Sequence, residues 1–302
     1  MNREHGIWHA IGAYVAWGSL PFYWKQIEQV PALELIGHRI AWSFITLLAI
    51  IVSTGQRQRF AMAATGPRVV RVYAVAAVLI SINWFVYVWS VNNGFIVESS
   101  LGYYITPLVS VLFGVVLLHE RMRPLQWVAV TLAATGVLVL AFMYGSVPWI
   151  ALTLAFSFGT YGLVKKRAPL GSMYGLTIET AILLVPAAGY LFFIDRAGHG
   201  AFMHAGARTT ALLAGAGLVT TVPLLLFASA SQRIPLSLLG VCQYIAPTLQ
   251  LLTGVLVYEE PFTRGQFMGF TIVWTGLVVF GIDGWIVSRV PAIVGVLDEG
   301  AG

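Results

Sequence analysis

The chain has 302 residues, of which 58% are hydrophobic and 10% charged, and a net charge of +5. A soluble domain carries about a quarter charged residues, so this composition excludes a water-soluble globule and requires a surface solvated by lipid. The basic residues sit in short breaks between apolar runs rather than along one stripe. That placement orients a chain in a bilayer and speaks against nucleic acid as a partner. Cys242 is the one cysteine, so no internal disulfide can form.

About 20 mostly apolar residues carry a helix across about 30 Å of hydrocarbon. In chain order the apolar runs predict spans at 7–27, 32–53, 69–91, 95–118, 124–143, 146–164, 172–194, 208–231, 236–257 and 264–287. The first run follows Met1–His5 without a small-residue cleavage site, so it reads as a retained span rather than a signal peptide. Only Asp195–Arg208 has the length of a real loop, and 288–302 reads as a cytoplasmic tail. The expected fold class is all-α and polytopic, with ten transmembrane helices.

With the N-terminus inside, 12 Lys and Arg residues fall in inner segments and 4 in outer ones, and Arg39 lies within a span. Basic loops stay cytoplasmic, which places both termini inside. An even number of spans satisfies that.

An internal repeat organises the chain. GYYITPLVSVLFGVVLLHE from Gly102 aligns with CQYIAPTLQLLTGVLVYEE from Cys242 at a constant offset of 140. Positions 104–139 match 244–279 at twelve of 36 residues, including Pro107/Pro247, Gly114/Gly254, Glu120/Glu260 and Gly136/Gly276. At an offset near 141, Trp17-Gly18 echoes Phe158-Gly159 and His38 echoes Glu179. Shared apolar composition would not align Pro, Gly, Glu and Gln together. The offset covers five spans, an odd number, so the units 7–143 and 146–287 are expected to cross in opposite senses as inverted repeats. Many secondary transporters have that arrangement.

An ionisable group within a span costs about 2.5–3.5 kcal/mol and usually faces a wet interior or a partner. Glu34 and His38 are four apart and share a face of the second span with Trp42, while Arg39 lies about 100° round it. Glu98 opens the fourth span at similar depth, and Lys25 and Glu28 close the first. Glu179 stands alone in the seventh, with no cationic neighbour in sequence. Two readings stay open. His38, Arg39 and Glu98 form an outer substrate clamp, with Glu179 or His38 as proton carrier, or these groups form an ion-pair network joining helix ends. Glu34, Lys25 and Glu28 suit the second, because they can snorkel to water.

Pro107 and Pro247 are read as helix breaks that free the carbonyls of Tyr103 and Gln243. With Tyr104 and Tyr244 these residues gather hydroxyls, amides and ring faces near the repeat interface, where transporter sites lie. A packing kink is the alternative. Asn83, Trp84 and Tyr87 in the third span, and Tyr14 with Trp17 in the first, extend the substrate-binding set, whereas Trp8, Trp149 and Trp285 read as headgroup anchors. No GxxxxGK[ST] loop, multi-His or thiolate cluster, or catalytic constellation stands out. No cofactor, metal site or enzymatic activity is therefore expected.

Longer strings resemble one family. HRIAWS at 38–43, NWFVYVWSVNNG at 83–94, ESSLGYYITPL at 98–108, LAFSFGTYGLVKK at 154–166, TTVPLLLFASA at 220–230 and QYIAPTLQ at 243–250 are similar to the EamA-domain branch of the drug/metabolite transporter superfamily. Within it they resemble the RarD, or chloramphenicol-sensitive-protein, subgroup. The likeness covers the chain to about residue 287. It implies a ten-helix bundle in a bacterial inner membrane, a cavity between the halves, and secondary transport, often export of metabolites or toxic compounds. The expected partners are a small-molecule solute and the lipid bilayer; a homodimer is admitted, and substrate and coupling ion stay open. A membrane scaffold or a membrane-embedded lipid-modifying enzyme are the alternative classes, the first having no need of intramembrane charges and the second lacking a catalytic constellation.

Overall fold

In hydrocarbon the backbone must satisfy its own hydrogen bonds, which long apolar runs achieve as helices. The computed structural model describes residues 3–93, 95–144, 148–259 and 263–299, except for the side chains of 3, 91, 92, 96–98, 100, 143, 144, 266, 285 and 287–299. Among the described residues all regular structure is helical: α1 (Arg3–Gly18), α2 (Leu20–Trp24), α3 (Ala32–Ser53), α4 (Arg57–Ala64), α5 (Pro67–Asn92), α6 (Ile96–Leu118), α7 (Pro124–Tyr144), α8 (Trp149–Lys166), α9 (Ser172–Arg196), α10 (Ala207–Arg233), α11 (Leu236–Cys242), α12 (Ile245–Val257) and α13 (Arg264–Glu299). A 3₁₀ turn, Lys25–Ile27, follows α2.

Eight segments among the described residues are long and apolar enough to cross a membrane, and the expected runs 7–27 and 146–164 are not among them. The first is divided at Ser19, before Pro21, into the 16 residues of α1 and the 5 of α2. The other corresponds to α8, where Lys165 and Lys166 close the helix and dilute its apolar character. The helical path of α13 continues past residue 287. The short helix α4 occupies a stretch expected to be a break.

The two repeat positions holding proline differ in form. α6 runs through Pro107 without interruption. The equivalent run is divided at Gln243–Tyr244, so that Pro247 lies in the first turn of α12.

Shifted by 140 or 141, the helices of the first half fall on those of the second. α5, α6 and α7 map onto α10, the α11–α12 run and α13, while α1 and α3 map onto α8 and α9. The packing follows the same exchange. α7 packs on α13, α3 on α9 and α6 on α11, while α1·α10 corresponds to α5·α8 and α6·α8 to α1·α12.

Single residues obey it too. A Cβ on Gly136 would meet Gly269 O at 2.7 Å and crowd Val273, and one on Gly276 would meet Ala129 O at 2.6 Å and crowd Ala133. Those partners are themselves 140 apart. Gly18 abuts Leu249 as Gly159 abuts Val109. His119 and Glu259, also equivalent, both take the left-handed conformation at φ 54°. Small residues let backbones approach this closely where hydrophobicity cannot drive association.

One end of the bundle, here proximal, carries Gly6 against Ile234, the Tyr73 hydroxyl donating to Leu170 O, and Lys166 donating to Ile234 O at 2.6 Å. There Glu120 accepts from the backbone amides of Leu236 and Ser237 at 2.7 and 2.9 Å and so caps α11. A carboxylate is favoured at that positive helix end. The opposite, distal end is tied by the Tyr23 hydroxyl donating to Leu212 O and by Glu34 accepting from the Ala201 and Phe202 amides.

Candidate solute-binding site

Arg39 lies about 10 Å along α3 from its distal start. Its Nε donates to Thr220 Oγ1 of α10 at 2.9 Å. The guanidinium lies over the rings of Trp24, at 5.2 Å, and Trp84, at 4.8 Å. The Tyr87 and Tyr103 rings stand near it, edge to face and 5.8 Å apart. Arg39, Trp24, Trp84 and Tyr103 each keep part of their surface accessible, and Tyr87 is 38% exposed. A cation flanked by two indoles and two phenols thus sits partly buried in the distal half. Trp84 also borders an apolar recess of about 220 Å³ between α3, α5 and α9, shared with Gly37, Leu183, Pro186 and Tyr190.

Four of the expected substrate-binding residues come together here: Arg39, Trp84, Tyr87 and Tyr103. Sequence reasoning missed Trp24 and Thr220. Trp24 adjoins the polar end of the first run and reads as part of it. Thr220 sits among apolar residues, where a threonine usually bonds its own helix.

The other expected residues have different surroundings. His38 lies 3.7 Å from Glu34 and against the Phe202 ring at 4.8 Å, facing the 197–206 loop. Glu34 does not snorkel: it is 1% exposed and bound to that loop's backbone. Asn83 donates to Leu154 O and Ser157 Oγ, tying α5 to α8. Tyr104 and Tyr244, equivalent by the repeat, are buried with rings 6.4 Å apart beside Phe270. Gln243 accepts from Ser110 at 3.3 Å. The Glu98 side chain, the Trp285 side chain and Glu260 lie outside the described residues.

Tyr14 and Trp17 join Phe158, Tyr161 and Phe227 in an aromatic cluster, with Trp17 and Phe158 5.9 Å apart and Tyr161 stacked on Phe227. Proximal to it, Lys165 Nζ meets Glu179 Oε1 at 2.6 Å and the Tyr161 hydroxyl donates to Glu179 Oε2 at 3.0 Å. Glu179 therefore has the cationic partner its sequence neighbourhood lacks. Lys165 is a buried residue of α8 rather than a loop charge.

Exchanging the halves relates the two clusters. Trp24 corresponds to Lys165 and Tyr87 to Phe227, while His38, the neighbour of Arg39, falls on Glu179. Trp24 and Tyr87 keep part of their surface exposed, whereas their counterparts Lys165 and Phe227 are 1% and 2% exposed.

A multi-helical apolar bundle with a charged, aromatic interior defines a multi-pass membrane transporter, and the EamA-like transporter family model matches the chain twice, over residues 5–142 and 146–282. The chain belongs to that family, within its RarD branch of drug/metabolite transporters. It is 46% identical to "Uncharacterized transporter YojE" of Bacillus subtilis, over 92% of this chain and 94% of that one. Identity to "Protein RarD" is 43% for Streptomyces exfoliatus, covering 95% and 91% of the two chains, and 42% for Escherichia coli, covering 95% and 97%. A solved structure described as "Crystal structure of protein" shares the fold at a TM-score of 0.68 and 18% identity, over 92% of this chain and 97% of that one.

Proposed function

We propose that this chain is a secondary transporter that exports a small metabolite or drug-like solute across the bacterial inner membrane by alternating access. The observation that carries the reading is the unequal state of the two equivalent clusters: Tyr87 is 38% exposed while Phe227 is 2% exposed. Two related halves that exchange roles would open one end as they close the other. In this reading the proximal end is cytoplasmic, as the basic residues require, the α1–α2 run and α8 also cross, and the two five-helix units are inverted repeats. The exchange of packing partners, the paired left-handed residues and the two family matches support that arrangement. The open state is distal, with Arg39 facing it.

The closed end has a latch in Lys165–Glu179. A proton on Glu179 cancels that ion pair and frees the seam, so Glu179 is the proton-coupling residue of this proposal. His38, engaged with Glu34 and Phe202 at the loop, is not. In proteoliposomes Glu179→Gln is expected to abolish flux driven by a pH gradient while leaving solute exchange intact. Unchanged pH-driven flux would reject coupling through Glu179, and absence of any solute flux in the unmodified protein would reject transport.

A further inference from the structure

We infer that the Arg39 pocket selects solutes bearing a single carboxylate on an apolar or aromatic body. This rests on the transporter reading and adds the chemical class of the solute.

Arg39 commits its Nε to Thr220, and its terminal amino groups have no acceptor among the described residues. No described carboxylate pairs with it, although the other intramembrane charges with described side chains do pair: Lys165 with Glu179, and Glu34 with His38 and the loop amides. A partly buried cation is best matched by an anionic or well-bonded partner. The Trp24 and Trp84 faces moderate the charge through their ring quadrupoles but carry no anion.

What remains free on Arg39 is the end-on pair of N–H groups, whose fork matches the two oxygens of a carboxylate. The Tyr87 and Tyr103 phenols, their rings 5.8 Å apart, are further donors beside the cation. The charge count sets the valence. One guanidinium balances one negative charge, whereas a phosphate monoester carries close to two at neutral pH and would keep a surplus against a single cation. The indole and phenol faces around the cation then suit an apolar or aromatic body, which they cover at little cost in side-chain freedom.

The test is binding of matched acids and amides, benzoate against benzamide and N-acetylphenylalanine against its amide, to the full chain in nanodiscs, read by thermal shift and tryptophan fluorescence. Each acid is expected to bind about tenfold or more tightly than its amide. Arg39→Gln should erase that preference and Arg39→Lys should retain part of it, which also guards against a glutamine variant that fails to fold. Glu98→Gln tests for an internal counter-ion. Acid preference that emerges only in E98Q assigns the charge to Glu98 and overturns the inference. Equal binding of acid and amide, binding of neither, or a preference untouched by R39Q overturns it as well. Counterflow of the same probes in proteoliposomes separates the two failures. An amide exchanged as fast as its acid defeats the carboxylate assignment and leaves transport standing, whereas no flux of any solute defeats transport.

Discussion

Lys165 and Glu179 are each 1% exposed, and their 2.6 Å contact joins α8 to α9 in the proximal half. Lys165 also lies over the rings of Tyr73, at 5.4 Å, and Tyr161, at 5.7 Å. Removing one member strands a charge, a change that costs about 3–5 kcal/mol, while replacing both with apolar residues of similar volume is close to neutral. Lys165→Met alone is therefore expected to destabilise the purified protein by about that amount, and K165M/E179M together to recover most of it. Thermal denaturation in detergent checks both, and additive losses would show that the two residues are not coupled. This pair was half legible in the sequence. Glu179 stands out as an intramembrane acid, but its partner is 14 residues away across a tight α8–α9 connection and sits in a basic cluster that reads as loop. The signal that could have found it is the i, i+4 spacing of Tyr161 and Lys165, which puts both on one face of α8.

At the level of elements, the α7·α13 crossing carries the repeat most directly. Gly136 and Gly276 each meet a backbone carbonyl of the other helix, so a methyl group at either has nowhere to go. Gly136→Ala and Gly276→Ala are each expected to destabilise by about 1–3 kcal/mol, the usual range for overpacking, and by similar amounts. A loss confined to one would mean that the crossing is not shared equally by the halves. The sequence displays these glycines as an aligned pair because close approach demands a residue without Cβ, and the apolar runs give the bounds of α5, α6, α7 and α10 closely. The breaks were less readable. Ser19 interrupts the first run although the nearest proline is two residues on, and Gln243–Tyr244 divides α11 from α12 while the equivalent α6 stays whole through Pro107. Related local sequence, sharing Tyr104/Tyr244, Ile105/Ile245 and Pro107/Pro247, takes two forms there, and single-sequence patterns carry no record of tertiary surroundings.

For the whole molecule, the proposed alternating access makes a directional statement that can be checked without knowing the solute. The clusters at Tyr87 and Phe227 occupy equivalent places, so an inherently symmetric bundle would expose both or neither. In the proposed reading, the packing of the proximal half, with its stacked Tyr161–Phe227 rings and the Lys165–Glu179 pair, decides which end is shut. In a Cys242→Ser background, Tyr87→Cys is expected to react with a membrane-impermeant thiol reagent added outside intact cells, and Phe227→Cys to resist reagent from either side. Adding K165M/E179M should shift the balance, raising the reactivity of Phe227→Cys from the cytoplasmic side and lowering that of Tyr87→Cys. Sidedness follows in the same assay, with Arg121→Cys reactive only from inside and Glu260→Cys only from outside. Arg121 and Glu260 labelled from one side would remove the antiparallel relation between the halves. Reactivity of Tyr87→Cys that ignores the distant pair would leave the two ends uncoupled, which alternating access does not allow.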